Sequence, residues 1–131
     1  MGKIKKCVSV TKCKKVGFNM QFNAKARYVP FSPYKLRPIA DVVRGKNVQQ
    51  ALAWLNTCAL KRVVPLRKII ASAASNAKHL KGADAGHLVI KTLCVDQGPM
   101  RRYFKPGAMG RSSIQRGRKS HIHVVLELSQ H

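Results

Sequence analysis

Few side chains in this sequence are spaced for catalysis. His121 and His123 lie two apart in an alternating apolar segment. On a strand both imidazoles face the same side, as metal ligands can. Neither a cysteine nor a carboxylate is placed in sequence to complete a ligand set, so two surface imidazoles beside a basic arm is the preferred reading. The four cysteines are Cys7, Cys13, Cys58 and Cys94. They form no CxxC pair, and the step from Cys7 to Cys13 is too wide for a usual zinc knuckle. Reduced thiols are expected, with Cys58 and Cys94 as small core residues. There is no Ser-His-Asp order and no phosphate-binding glycine loop. The chain is therefore not expected to be an enzyme, and neither a metal nor a cofactor is expected.

Charge is what the sequence has in excess. It carries 26 Lys and Arg against 4 Asp and Glu, a formal net charge of +22. A compact domain with that imbalance repels itself unless a polyanion neutralises it. Nucleic acid is the commonest such partner, and association gains from counterion release. The charge is also unevenly spread. No acid precedes Asp41, and none lies between Asp96 and Glu127. Two acid-free stretches suggest two contact zones. An anionic membrane is the competing polyanion, but no apolar run approaches the ~20 residues of a membrane helix. The N-terminal lysines are not followed by the apolar stretch of a secretory leader, and the segment is poor in the Arg and Ser of a transit peptide. A free DNA-binding regulator is a second alternative, with a helix-turn-helix around Gly45. Its recognition helix, Val48 to Asn56, contains no Lys or Arg, which suits groove binding badly.

These groups must be positioned by a single domain, given 131 residues. Residues 1–23 read as a basic tail, with Val8 and Val10 as a possible short strand, and 24–131 as one globular domain. Ala24 to Phe31 reads as a short strand stopped by Pro30 and Pro33. Ser32 and Pro33 make a helix start, and Leu36, Ile39, Ala40 and Val43 supply one helical face. Arg37 and Asp41 are spaced for an i,i+4 ion pair, and Gly45 ends the helix in the left-handed region. Asn47 caps a second helix with Val48, Ala51, Leu52 and Leu55 buried and Trp54 packed over the core edge. A third helix runs from about Leu60 to Leu80, with Pro65 either near its start or at a kink. Leu88 to Val95 and His121 to Leu128 read as strands.

Asp96 to Ser120 joins those two strands and is far too long for a tight turn. It is also too basic and too poor in large aliphatics to bury itself. A disordered loop, a catalytic lid and an extended hairpin held by RNA are the competing readings. The lid lacks acids or nucleophiles to cover, and disorder in isolation is compatible with order on RNA. Arg101, Arg102, Lys105, Arg111, Arg116, Arg118 and Lys119 suit phosphate on both sides of a narrow ribbon. Pro106, Gly107, Ala108, Met109 and Gly110 lie at its middle, where small residues let the chain reverse. Fully extended arms would put that tip roughly 35 Å from the body. A lone ribbon of that length is barely stable in water, so a partner must hold it. Tyr103 and Phe104 suit either stacking on bases or packing against the opposite arm.

The sequence resembles the bacterial-type large-subunit ribosomal protein family twenty-two. The resemblance is carried by Ser32-Pro-Tyr-Lys35-Leu-Arg37, Ala40-Asp-Val-Val-Arg44-Gly-Lys46, Ala51-Leu52 and Ile70-Ala-Ser72-Ala73-Ala-Ser-Asn76-Ala77. It continues in Val95-Asp96-Gln-Gly98-Pro99, Pro106-Gly-Ala108-Met109-Gly110-Arg111 and Ser120-His121-Ile122. It implies an α+β fold of three helices packed on a small antiparallel sheet, with a long protruding β-hairpin at 96–120. It also implies a structural constituent of the large subunit that binds 23S-type rRNA and supports subunit assembly. The hairpin tip, Pro106 to Gly110, would line the nascent-peptide exit tunnel, near where macrolides bind. Lys35, Arg37, Arg44, Lys46 and Asn76 match body positions expected at rRNA. The implied partners are large-subunit rRNA, neighbouring ribosomal proteins and the nascent polypeptide, with no membrane and no homo-oligomer, in a cytoplasmic or organellar ribosome. Gly107 stands where the family usually has arginine, Tyr103 often replaces a basic residue, and Gly117 is unusual in the returning arm.

Overall fold

The structure is a computed structural model that describes residues 20–129. Most of the basic tail, with Cys7, Cys13 and the strand expected at Val8 and Val10, lies outside the described residues. The order is β1 (Gln21–Val29), α1 (Pro33–Val43), α2 (Val48–Thr57), α3 (Val63–Lys81), β2 (Leu88–Gln97), β3 (Arg101–Pro106), β4 (Ser112–Gly117) and β5 (Ser120–Leu128). β5 is central in a three-stranded antiparallel sheet ordered β1-β5-β2, and β3 pairs with β4 in a two-stranded antiparallel ribbon. This is the expected α+β architecture of three helices and antiparallel sheet.

Alternation builds the sheet. Ile122, Val124 and Leu126 of β5 point inward with Phe22 and Ala24 of β1 and Leu88, Ile90, Leu93 and Val95 of β2. β1 begins at Gln21, earlier than the sequence suggests, and Phe22 joins the core. The early start is hidden because Gln21, Asn23 and Lys25 are polar and exposed and leave only two strongly buried positions between them. α3 lies against β1 and β5, α1 against β2, and α2 against α3. Burying this aliphatic set is the principal stabilising term, at roughly 25 cal/mol per Å² of apolar area.

The helix ends follow local chemistry. Asn47 accepts a bond from the Gln49 N–H at 3.1 Å and donates to the Gly86 carbonyl at 2.6 Å, fixing the start of α2. Ser32 occupies the N-cap of α1, but its hydroxyl makes no capping bond. Its carbonyl instead accepts from the Lys35 N–H at 3.1 Å. Pro65 falls in the first turn of α3, where its missing N–H has no intrahelical partner to lose. Gly45 is left-handed at φ 79°, which lets its N–H turn to the Ile90 carbonyl at 3.0 Å. Trp54 packs half-buried over the core, as expected.

The expected Arg37–Asp41 pair does not form. Asp41 pairs with Arg44 at 2.8 Å, while Arg37 donates through Nε to the Val95 carbonyl at 3.4 Å. The reason lies in the neighbouring strand. The outer edge of β2 presents unpaired carbonyls to α1, and a guanidinium gains more by satisfying one of them than by a surface ion pair.

The two sheets meet where Gly98 donates to the Lys119 carbonyl at 2.8 Å. A Cβ on Gly98 would stand 3.1 Å from the Lys119 carbonyl carbon and oxygen and 3.2 Å from Nε2 of His121. Gly98→Ala should therefore splay the root of the ribbon. The expected readout is faster amide exchange at residue 98 with little change in body amides. Leu126→Ala, at a fully buried position, should lower unfolding free energy by about 2–5 kcal/mol in chemical denaturation.

Candidate nucleic-acid interface

The ribbon is built from residues that cannot bury one another. Every residue from Arg101 to Arg118 is exposed. The register pairs Arg101 with Gly117, Arg102 with Arg116, Tyr103 with Gln115, Phe104 with Ile114 and Lys105 with Ser113. Arg102 and Arg116 are like charges directly opposite, an unfavourable cross-strand pair. Phe104 and Ile114 face each other in register, though both stay exposed. Cross-strand contact is therefore open to Phe104, while its outer surface and that of Tyr103 are free for a partner.

The tip reverses differently from the expected two-glycine turn. Gly110 is left-handed at φ 70°, but Gly107 is extended, and the other left-handed residue is Met109 at φ 56°. Gly107 closes the turn by donating to the Arg111 carbonyl at 2.7 Å. A Cβ there would stand 3.3 Å from that same oxygen. Close approach, rather than left-handed conformation, is what glycine supplies at 107. Met109 is 97% exposed at the end of the ribbon.

The body cations divide into two groups. Arg37 and Arg44 are clamps on β2, since Arg44 also donates through Nη2 to the Leu93 carbonyl at 2.8 Å. Their positions are set by the fold, and both remain exposed. Lys35 is placed differently. It lines a shallow cleft with Ser32 and Tyr34 of the body and Arg116 and Arg118 of the returning arm. Three cations from two distant stretches thus converge where the arm leaves the body. Lys46 is exposed just after α1. Asn76 lies apart from these, in a groove between α3 and β1 with Lys25, Lys68 and Ser72, and donates to the Asn23 carbonyl at 3.4 Å.

The outer face of the sheet holds the two histidines. Nδ1 of His121 accepts the Tyr28 N–H at 3.1 Å, so that nitrogen is committed to the backbone. His123 stands between Lys25 and Cys94 in register, with Nε2 buried and unpartnered. Burial, and after it the Lys25 charge, hold the His123 pKa below its ordinary value, against an opposing pull from Asp96. One imidazole thus serves as a backbone acceptor, and the other has its protonated form disfavoured by its surroundings. Among the described residues, no group of three or more His, Cys, Asp or Glu is placed to hold a metal ion. Glu127 is drawn below the usual carboxylate range, chiefly by its hydrogen bond from Lys91 and further by Gln21, against the effect of burial.

Sequence reasoning misses Tyr28. By its neighbours it is one more residue of an edge strand, yet it is left-handed at φ 59° and packs edge-on to His121. Nothing local in an aromatic residue signals a positive φ, because the tertiary partner that holds it is far away in sequence.

The fold and charge distribution first define a class: a small α+β protein whose polar surface is organised around cations rather than acid–base pairs. Within that class the chain belongs to the ribosomal protein L22p/L17e family, whose profile matches residues 24–127. It is similar to the large ribosomal subunit protein uL22 of Desulfitobacterium hafniense, 44% identical over 106 residues, covering 81% of this chain and 93% of the relative. The protein of the same name from Syntrophomonas wolfei is 41% identical over 107 residues, covering 82% and 95%. That from Desulforamulus reducens is 41% identical with the same coverage. A ribosomal protein of this family is a structural component and not an enzyme. No helix among the described residues is long and apolar enough to cross a membrane.

The depressed His123 pKa has a signed consequence. The unfolded chain binds a proton at the ordinary value of 6.5, and the folded chain binds it only at lower pH. The stability this group contributes is therefore whole above that value and is lost as pH falls through it toward the folded value. His123→Val should flatten the fall in thermal midpoint between about pH 7 and pH 5. An unchanged slope would mean that another group carries it.

Proposed function

We propose that the chain is a structural constituent of the large ribosomal subunit that binds 23S-type rRNA and supports subunit assembly, with the ribbon tip lining the nascent-peptide exit tunnel. The observation that carries this is the ribbon itself. Arg101, Arg102, Lys105, Arg111, Arg116 and Arg118 are all exposed on it, and no acidic residue lies between Asp96 and Glu127. A two-stranded ribbon with opposed arginines gains order from an anion on each side of it, and a folded RNA supplies phosphates at such spacing. Lys119, half-buried at the root, adds charge where the ribbon meets the body.

The remaining assignments follow from the same reading. The rRNA-binding domain begins with β1 at Gln21 rather than at residue 24, and a basic tail precedes it. Lys35 and Lys46 contact phosphate from the body. Arg37 and Arg44 present to RNA the donors not spent on β2, and Asn76 offers its amide from the groove beside β1. Pro106, Gly107, Ala108, Met109 and Gly110 form the tunnel-facing tip, where the exposed Met109 meets the nascent polypeptide. The partners are large-subunit rRNA, neighbouring ribosomal proteins and the growing chain. The protein acts as a single copy within a cytoplasmic or organellar ribosome, away from any membrane. Membership of the L22p/L17e family and the name shared by the relatives support this reading, as does the separation of a packed body from an exposed ribbon.

Three measurements test it. The tagged chain should sediment with large subunits and remain there through moderate salt, and a light free pool would count against the assignment. In vitro, replacing Arg101 or Arg116 by Gln should weaken rRNA binding across sequences and lower the salt slope by about one unit for each phosphate left without its cation. Deleting the tip should leave body binding to rRNA intact while altering nascent-chain stalling or macrolide response. Complete loss of assembly would show that tip and body are not separable.

A further inference from the structure

Tyr28 is held in a conformation that its own chemistry disfavours. Between Ala26 and Val29 the chain takes three steps while β5 takes two, from Ile122 to Ser120, so β1 carries one extra residue there. Such a bulge re-aims a side chain. A left-handed backbone is strained in an aromatic residue, and it persists only where the surroundings over-determine it. His121 does so twice. Its Nδ1 accepts the Tyr28 N–H at 3.1 Å, and its ring meets the Tyr28 ring at 81° with centroids 5.0 Å apart. For all this fixing, Tyr28 is 56% exposed. A tyrosine strained for the sake of packing would be covered, whereas this one is fixed in place and left open.

Its surroundings are cationic. Nζ of Lys119 lies 5.9 Å from the ring centroid. Arg27 is the preceding residue and is exposed, and Arg118, adjacent to Lys119, lines the cleft shared with Lys35 and Arg116. Asp96 is in register with His121 but on β2, the far side of β5 from Tyr28. A flat apolar face with one ammonium near it, and exposed guanidinia on residues next in sequence, suits one nucleotide, with its base on the ring and its flanking phosphates on the cations.

We propose that Tyr28, braced by His121, is a stacking platform for one unpaired nucleobase at the root of the ribbon, with Lys119 and the Lys35–Arg118 cleft taking the neighbouring phosphates. This rests on the rRNA-binding reading and adds to it a base contact at a position where phosphate contacts alone would carry no base preference. It also gives a physical reason for the strain. The bulge turns the ring out of the sheet toward solvent.

The test uses the full chain and short single-stranded RNA carrying 4-thiouridine, with an abasic oligomer of equal length as control. Asparagine tolerates the left-handed region, so Tyr28→Asn keeps the bulge without the ring. Wild type should photocrosslink at Tyr28 and prefer the base-bearing oligomer. Tyr28→Phe should bind like wild type. Tyr28→Asn should lose roughly tenfold in affinity for the base-bearing oligomer, with little change for the abasic one and an unchanged salt slope. Equal binding by wild type and Tyr28→Asn, or crosslinks that avoid Tyr28, would overturn the platform while leaving the rRNA reading intact. If wild type binds neither oligomer at low salt, the rRNA reading fails and the platform falls with it.

Discussion

Self-repulsion is the constraint this fold has to satisfy. With 26 cationic residues and 4 acidic ones, ion pairing can neutralise only a small fraction of the surface, and the described residues contain two salt bridges. The body responds by keeping charge out of its interior. Its core is almost wholly aliphatic and alanine-rich, and the only buried polar residue among those described is Ser120. Cations that must lie near backbone are spent on carbonyls, as Arg37 and Arg44 are on β2. Six others, Arg101, Arg102, Lys105, Arg111, Arg116 and Arg118, stand on a ribbon that is exposed throughout.

That division explains how one chain holds both a stable and a marginal part. The sheet β1-β5-β2 and its helices share one continuous aliphatic core. The ribbon has paired backbone but little apolar contact, with Phe104 opposite Ile114 as its one large apolar pair. The boundary between the two is narrow. Gly98, Lys119 and His121 crowd together there, and Tyr28 packs on His121 from the neighbouring strand. The junction is therefore the place where body geometry is transmitted to the direction of the arm.

Much of this is legible in the sequence, and the parts that are not share a cause. The stripes Leu36–Val43 and Val48–Leu55, the Asn47 cap, the left-handed Gly45 and the alternation of Ile122, Val124 and Leu126 are local signals, and each is present in the structure. The basic stretch between Asp96 and Ser120 is recognisable from composition and length alone. What escapes are outcomes decided across long sequence separations. Arg37 turns from Asp41 to a carbonyl of residue 95. Phe22 becomes core because Leu126 lies opposite it. Tyr28 takes a positive φ because an imidazole some ninety residues later accepts its N–H. At the tip, two glycines suggest a turn, but which residues are left-handed depends on the closing bond from Gly107 to Arg111.

The pairing of Arg102 with Arg116 has a bearing on timing. Two guanidinia facing each other across a ladder oppose its closure in plain water, and the opposition disappears once an anion lies between or beside them. Closing the arm is therefore easier beside an anion than in plain water, whereas the core of the body contains no such pair. On the rRNA-binding reading proposed above, the arm would gain order as phosphate reaches it, while the body packs on its own apolar core.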